Sequence, residues 1–468
     1  MTGRSTTTAL IMAAGEGTRM RSSMPKVLHP VCGRAMITWP ILAAQSAGVG
    51  RVAVIVSPNR DLGDALPEGV ETVVQPESDG TGGAVRAAIA IVRESSEVLV
   101  LSGDVPLVSD TVIGELLSTH RDDGASATVM TAILEEPGSY GRVVRDSDDA
   151  VEKIVEAKEA GDATAAELEI KEINSGTYVF AGESLASALE EVTNDNAQGE
   201  YYLPDVLSIM RGRGERVSAH IAEDTAVNLG VNNRVDLAAV ETEARRRILE
   251  GHMLAGVTIV DPASTWIDAD VSIGKDARIE PGTSIRGASE IGEDAVIGPH
   301  STVINSGIGA RSQVLRSHLV LCEVMEDCQV GPFAYLRPGA QLEDGSKAGT
   351  FVEIKNSVIG AGAKVPHLSY VGDAEVGEGA NLGAGTITAN YDGTNKHRTV
   401  VGPGARVGVD TMLVAPVEVG ADAYTGAGSV IRENVPPRSL AVSRGDQRTI
   451  EEYAERRKAR EENEEPDS

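Results

Sequence analysis

The chain has 468 residues, 41% of them hydrophobic, with 42 Lys and Arg against 70 Asp and Glu and a formal net charge of −28. That length and composition suit two or three globular domains, and so acidic a balance excludes nonspecific binding to nucleic acid or to an anionic membrane. Cys32, Cys322 and Cys328 are odd in number and lack metal-ligand spacing, and no basic leader or apolar stretch of about 18 residues occurs, so a soluble protein of a reducing cytoplasm is expected.

Thr7 to Met12 reads as a strand that feeds the glycine-rich turn Ala13-Ala14-Gly15-Glu16-Gly17-Thr18-Arg19-Met20. Gly15 and Gly17 allow the backbone close to a ligand and aim N–H groups at phosphate oxygens. The spacing is neither that of a P-loop nor the dinucleotide fingerprint, but Arg19 and Lys26 add the two cations that a triphosphate needs. Strands at Val52–Val56 and Val98–Leu101 then alternate with helical patterns at Ala35–Ala47 and Gly83–Arg93. Such alternation predicts a mostly parallel α/β sheet, Rossmann-like, with its ligands at the carboxyl ends of the strands. Asp104, in Leu101-Ser102-Gly103-Asp104-Val105-Pro106, falls at such an end, where a carboxylate can hold Mg²⁺ that keeps most of its water; capping of the helix that begins near Ser109 is the simpler role.

Asp236 to Leu254 carries apolar residues at helical spacing, with Arg245, Arg246 and Arg247 opposite. It reads as a connecting helix whose arginines pair with acidic neighbours. Beyond it the period changes. Ile267, Ile273, Ile279, Ile285, Ile291, Ile297 and Val303 are spaced by six, and the ruler resumes at Val324, Val330, Leu336, Leu342, Ala348, Ile359, Val365, Val371, Val401, Val407, Leu413 and Val419. Neither a helix nor a plain strand has that period, so each hexapeptide is one short strand and one corner of a solenoid. Three hexapeptides per coil give residues 257–440 about ten coils stacked about 4.8 Å apart. The pattern resembles the left-handed parallel β-helix of hexapeptide-repeat acyltransferases, and the left hand is implied by that resemblance, against the usual right-handed crossover.

The clearest break in the ruler, Thr388-Ala389-Asn390-Tyr391-Asp392-Gly393-Thr394-Asn395-Lys396-His397-Arg398, is polar and turn-rich. Insertions in a solenoid leave on one face and often line a site. Lys396 and Arg398, with Arg337 and Lys355 on nearby coils, supply cations for a sugar phosphate and for a CoA pyrophosphate. His367 lies two residues past an inward position; it is either surface decoration or the base that deprotonates an amine near neutral pH.

Taken together, "LIMAAGEGTRM…PKVLH", "DGTGGA", "SGDVPL", "YGRVV", "VEAKEA", "EINSGTYVF", "AQGEYYLPDV" and "GVNNR" stand in the order found in the bacterial bifunctional N-acetylglucosamine-1-phosphate uridylyltransferase/glucosamine-1-phosphate N-acetyltransferases. The chain resembles that family from residue 8 to about 450. The resemblance implies an enzyme that acetylates glucosamine 1-phosphate with acetyl-CoA and then joins UMP from UTP to N-acetylglucosamine 1-phosphate. It implies Gly15, Arg19 and Lys26 at the UTP phosphates, Gln75, Gly80 and Thr81 at the uracil and ribose, and Gly141, Glu156 and Asn174 at the sugar. Asp104 and Asn232 would hold Mg²⁺. In the solenoid it implies His367 as general base, Arg337, Lys355, Tyr370, Asn381 and Asn390 on the acetyl acceptor, and Tyr391, Lys396, Val409, Ala427 and Arg444 on acetyl-CoA. A homotrimer with acetyl-CoA between neighbouring chains is implied as well.

Three matched positions depart from the family pattern. Asp79 stands where Leu is common and Gly83 where His is usual, both flanking the expected base site; Val409 replaces a common Ser, removing a hydroxyl expected near the acetyl-CoA carbonyl. The expected organisation is a nucleotidyltransferase domain at 1–233, a linker helix at 234–256, a β-helix acetyltransferase at 257–448 and a charged tail at 449–468. The rival readings are a nucleotidyltransferase whose β-helix only assembles or regulates, and a scaffold without activity. His367 and the 388–398 insertion favour two activities over the first, and the ordered phosphate-binding residues disfavour the second.

Overall fold

A computed structural model describes residues 7–58, 60–157, 163–196, 198–443, 445 and 447–464. The chain forms two compact units, Met1–Glu250 with Ile267–Asp270, and Gly251–Trp266 with Val271–Ser468. No helix among the described residues is long and apolar enough to cross a membrane.

The first unit is built on a sheet whose strands lie in the order Val217–Ile221, Ala127–Ile133, Glu172–Ala181, Glu97–Ser102, Thr7–Met12, Arg51–Val56, Glu71–Val74. Thr7–Met12 can lie inside the sheet because its run of apolar residues can be buried on both faces. Leu10 enters one core with Val98, Val100 and Phe180, and Ile11 enters the opposite one with Leu99, Leu101 and Ile41, as the alternation of side chains along a strand requires. Met12 pairs with Ser102 and with Ile55 in parallel register, so three strands end together and their outgoing turns share one edge. Glu172–Ala181 runs antiparallel to both neighbours, which makes the sheet mixed. Of the helical pattern expected over Ala35–Ala47, Thr38–Ser46 is helix, while Ala35 ends the two-strand hairpin of Pro30–Val31 with Arg34–Ala35. The pattern over Gly83–Arg93 is two helices, Thr81–Ala87 and Ile89–Glu94, divided where Ala88 leaves helical geometry at φ −94 and ψ 18.

The helix Arg234–Leu254 begins in this unit. Arg246 pairs with Glu243 and Glu250, while Arg247 pairs with Glu243 and Asp224 and donates to Leu107 O at 3.0 Å. Acidic neighbours therefore take up this basic run.

The second unit is the solenoid, a parallel β-helix of hexapeptide repeats of the left-handed class. Its described strands form three parallel sheets of eleven, ten and nine strands. Ile279 pairs with Ile297 and Ile285 with Val303, eighteen residues on in each case, so successive members of the six-residue ruler fall on successive faces. Where a step shortens, as between Val303 and Ile308, a corner loses a residue and pairing continues, Ile291 meeting Ile308. Glycine after an inward residue lets coils touch, since a Cβ on Gly292 would come 2.5 Å from Ala310 N of the next coil. Two residues before the inward position, small side chains fill the corners: Ser301, Ser312, Cys328, Ala340 and Ser346 are all buried. Cys322 and Cys328 belong to this ladder, and burial pushes the Cys322 thiol up to about 11 and raises that of Cys328. The insertion expected at 388–398 leaves between the strands Ile387–Ala389 and Thr399–Val401.

Candidate active sites

In the first unit the glycine turn, the strand end at Ser102 and the segment before the long helix converge. Gly17 adopts φ 68, and a Cβ there would meet Lys26 Cβ at 2.6 Å, so glycine lets Lys26 lie back against the turn. Its ammonium forms an ion pair with Asp104 Oδ2, while Ser102 Oγ donates to the other carboxylate oxygen at 2.7 Å. Arg19 donates to Asn232 Oδ1 at 2.9 Å, and Asn232 N donates to Asp236 Oδ2 at 2.9 Å. Arg60, which sequence reasoning missed, donates to Gly15 O at 2.6 Å and adds a third cation to the turn.

Beside these groups lies a cavity of about 500 Å³ whose lining includes Thr81, Asp104, Gly141, Glu156, Asn174 and Asn232, six of the residues expected at the nucleotide, the metal and the sugar. Asn174 N donates to Gly141 O at 2.9 Å, and its side chain donates to Tyr178 Oη at 2.7 Å. Tyr140 Oη donates to Asn228 O at 2.7 Å. Burial raises the pKa of both tyrosines, so they act as neutral hydrogen-bonding groups. Tyr140, Tyr178, Asn228 and Ser102 were missed as site residues, although three of them lie inside or beside the quoted "YGRVV", "EINSGTYVF" and "SGDVPL".

Gln75 and Gly80 sit on the loop before the helix Thr81–Ala87, which Thr81 opens. Gly80 adopts φ 103 and a Cβ there would meet Tyr201 O at 2.6 Å, so the position needs glycine, and Thr81 Oγ1 accepts from Leu203 N at 3.0 Å. Gln75 is buried and donates to Gly80 O at 3.2 Å.

Among the described residues no cluster of three His, Cys, Asp or Glu side chains is arranged for a metal. Asp104 and Asn232 nevertheless offer a carboxylate and an amide oxygen on one cavity wall, a hard donor set that fits a divalent cation bound largely through water.

In the solenoid, the ten-stranded face carries Arg337, Lys355 and Gly372 in one column, since Leu336 pairs with Ile354 and Lys355 with Gly372. Arg337 pairs with Glu353 at 2.8 Å. A Cβ on Gly372 would come 2.4 Å from Tyr370 Oη and 2.9 Å from Asn390 Nδ2, so glycine makes the space in which Tyr370 and Asn390 meet. Asn390 Nδ2 also donates to Asp373 Oδ2. The insertion is a small hairpin, with Tyr391 bridging to Lys396 and Asp392 accepting from Thr394 N, Asn395 N and His397 Nε2. Backbone donors and His397 hold Asp392 down at about 2, and the neighbouring Lys355 lowers the pKa of Lys396.

The structure thus gathers Arg337, Lys355, Tyr370, Asn390 and Lys396. It sets Asn381 on a different face, where it pairs with Lys364 of the His367 strand and with Arg406. His367 is exposed at the corner leading into Tyr370. Its carbonyl accepts from Gly385 N, that of Ala384 from Asp410 N, and that of Val409 from Gly428 N, so His367, Ala384, Val409 and Ala427 form one column along that corner. Tyr391 and Lys396 leave from the far edge of the ten-stranded face, away from Val409 and Ala427 within the chain. Arg444 lies outside the described residues. Asp373, Glu353 and Gly372 were missed because each acts through a neighbour.

A glycine-rich, cation-flanked turn on a mixed α/β sheet and a basic, histidine-flanked face on a hexapeptide solenoid define a nucleotidyltransferase joined to an acyltransferase. Residues 9–207 match the family of MobA-like NTP transferase domains, and residues 270–305 match the bacterial transferase hexapeptide of six repeats. The bifunctional protein GlmU of Mycobacterium bovis and that of Mycobacterium marinum are each 45% identical over 468 residues, covering 98% of this chain and 94% of theirs. That of Corynebacterium efficiens is 45% identical over 463 residues, covering 97% and 95%. The chain belongs to the GlmU family of bifunctional proteins. It is a bifunctional enzyme of UDP-N-acetylglucosamine synthesis, with nucleotidyltransferase and acetyltransferase activities that serve cell wall formation, and its nucleotidyltransferase uses a divalent metal.

Proposed function

We propose that residues 257–448 acetylate glucosamine 1-phosphate and residues 1–233 uridylylate the product, with 234–256 as the joining helix and 449–468 as a tail. The observation that carries this reading is that each unit holds its own set of cations beside hydrogen-bonding side chains, Arg19 and Lys26 in one, Arg337 and Lys355 in the other. Two phosphate-bearing substrates can be held separately by two such sets.

In the acetyl transfer, Arg337 and Lys355 hold the acceptor phosphate while Tyr370, Asn381 and Asn390 orient the sugar. His367 takes a proton from the amine as the nitrogen forms its bond to the thioester carbonyl carbon, and the carbon–sulfur bond breaks to release CoA. Tyr391, Lys396, Val409, Ala427 and Arg444 hold acetyl-CoA. Because Tyr391 and Lys396 lie at the opposite edge of the face from Val409 and Ala427, the acetyl-CoA site is completed between copies of the chain, in a homotrimer.

In the uridylyl transfer, Gly15, Arg19 and Lys26 hold the UTP phosphates, Gln75, Gly80 and Thr81 hold the uracil and ribose, and Gly141, Glu156 and Asn174 hold the sugar. A phosphate oxygen of N-acetylglucosamine 1-phosphate forms a bond to the α-phosphorus as the bond to pyrophosphate breaks. Asp104 and Asn232 hold Mg²⁺, which when bound offsets the negative charge of the triphosphate. Asp104 also orients Lys26 toward the phosphates. The enzyme works in the cytoplasm.

Incubating the purified protein with acetyl-CoA and glucosamine 1-phosphate should release thiol, and with UTP and N-acetylglucosamine 1-phosphate should release pyrophosphate. Pyrophosphate release from the second pair without thiol release from the first would leave only a nucleotidyltransferase with a structural solenoid.

A further inference from the structure

The two unusual residues beside the base site are coupled in space. A Cβ on Gly83 would stand 1.8 Å from Asp79 Oδ1 and 2.3 Å from its Cγ, so the Asp79 carboxylate occupies the room that any side chain at 83 would need. Asp79 is held there by its backbone, its carbonyl accepting from Tyr201 N at 2.8 Å. From that position its Oδ1 accepts from Gln75 Nε2 at 2.8 Å, and the same nitrogen donates to Gly80 O at 3.2 Å. Both N–H groups of the amide are thereby used. Turning the amide over would set its oxygen against a carboxylate and a carbonyl, so one orientation is enforced, and Gln75 Oε1 is the atom left without a partner among the described residues.

We propose that Asp79 is a specificity-determining positioning residue: it fixes Gln75 so that only an acceptor oxygen is offered to the base. An acceptor selects a pyrimidine with N–H at ring position 3, as in uridine, and opposes one with a bare nitrogen there, as in cytidine. Gly83 serves the same end by leaving the carboxylate its place. The proposal rests on the assignment of Gln75 to the uracil, which the test separates from it.

The test measures kcat/KM for UTP and for CTP, with N-acetylglucosamine 1-phosphate as acceptor, in the full chain and in Asp79→Asn, Asp79→Ala, Gly83→Ala and Gln75→Ala. An asparagine can meet either orientation of the Gln75 amide, and an alanine meets neither. Each Asp79 variant should therefore lower the UTP:CTP preference by about tenfold, the worth of one hydrogen bond, with an unchanged KM for the sugar phosphate. Gly83→Ala should produce the same fall by displacing the carboxylate, and should add little when combined with Asp79→Asn. Should Gln75→Ala lower the preference while both Asp79 variants keep it, the positioning role is wrong although Gln75 still reads the base. Should Gln75→Ala keep the preference too, Gln75 does not meet the base, and the proposal falls with that assignment.

Discussion

The Lys355 ammonium lies 3.3 Å from Oδ2 of Asp373, the oxygen that also accepts from Asn390, while Oδ1 accepts from Asn356 at 2.7 Å. Burial pushes the Asp373 carboxyl up, and the hydrogen bonds from Asn356, Asn390 and Lys355 outweigh it, holding the group below its ordinary range. One carboxylate thus fixes two side chains assigned to the acetyl acceptor. Asp373→Asn keeps the shape and removes the charge, so KM for glucosamine 1-phosphate should rise about tenfold, with a smaller change in kcat, in a steady-state assay of thiol release.

Replacing Asp104 by Asn should cut pyrophosphate release at least about a hundredfold, since it keeps the shape but removes the negative charge that draws the divalent cation and pairs with Lys26. Acetyl transfer by the same preparation should continue. A chelator should reproduce the loss in the unaltered protein and added Mg²⁺ should reverse it; release that survives Asp104→Asn but stops with the chelator would place the metal elsewhere.

His367→Ala should lower thiol release by about 10²–10⁴-fold, the range for a lost general base. The side chain is exposed, so little packing is lost and pyrophosphate release should be unaffected. Equal thiol release by mutant and parent would remove His367 from the mechanism.

Val409 is 48% exposed on the same corner column as His367. A hydroxyl can be added there without disturbing the core, and Val409→Ser should raise kcat/KM for acetyl-CoA by about two- to tenfold, one added hydrogen bond. An unchanged value would show that position 409 does not meet the thioester.

Much of the solenoid is legible because its inward aliphatic residues repeat at a fixed interval and pair as that interval requires. The corner ladder is not, since Ala, Ser, Thr and Cys share only small size, which a hydropathy pattern does not register; Cys322 and Cys328 looked like unassigned thiols for that reason. Sequence distance also hides which face a residue occupies once corners shorten, so Asn381 could not be separated from Lys355 and Tyr370. In the first unit the motifs carried Arg19, Lys26 and the carboxylate at the strand end, whereas Tyr140 and Asn228 meet only through folding across 88 residues. The coupling of Asp79 to Gly83 exists only in the fold, because a missing Cβ has no signature of its own in the sequence.

Glu97 gives a test of stability. Arg121 donates to both of its oxygens at 2.9 and 2.6 Å and Thr7 Oγ1 donates at 2.7 Å; the Arg121 bond lowers the Glu97 pKa, burial opposes it, and Thr7 adds to the lowering. A carboxylate depressed in the folded state stabilises the protein above its ordinary 4.5, and that contribution disappears as pH falls through the lowered folded value. Glu97→Gln should therefore destabilise by about 1 kcal/mol or less at pH 7, solvent screening the half-exposed Arg121. The gap from the parent should close as the solution is acidified below 4.5 and through the lowered folded value. Denaturant titrations at several pH values would measure it, and a gap independent of pH would assign the loss to shape instead of charge.

The corner ladder has a practical side. All three thiols of the chain are buried, and burial pushes Cys32 up to about 12 and Cys322 up to about 11, so almost none is thiolate near neutrality. A disulfide reagent mixed with the native enzyme finds no ready nucleophile in the protein. Colour developed during turnover therefore counts CoA molecules alone, and a slow background reaction of the enzyme itself becomes a gauge of unfolding.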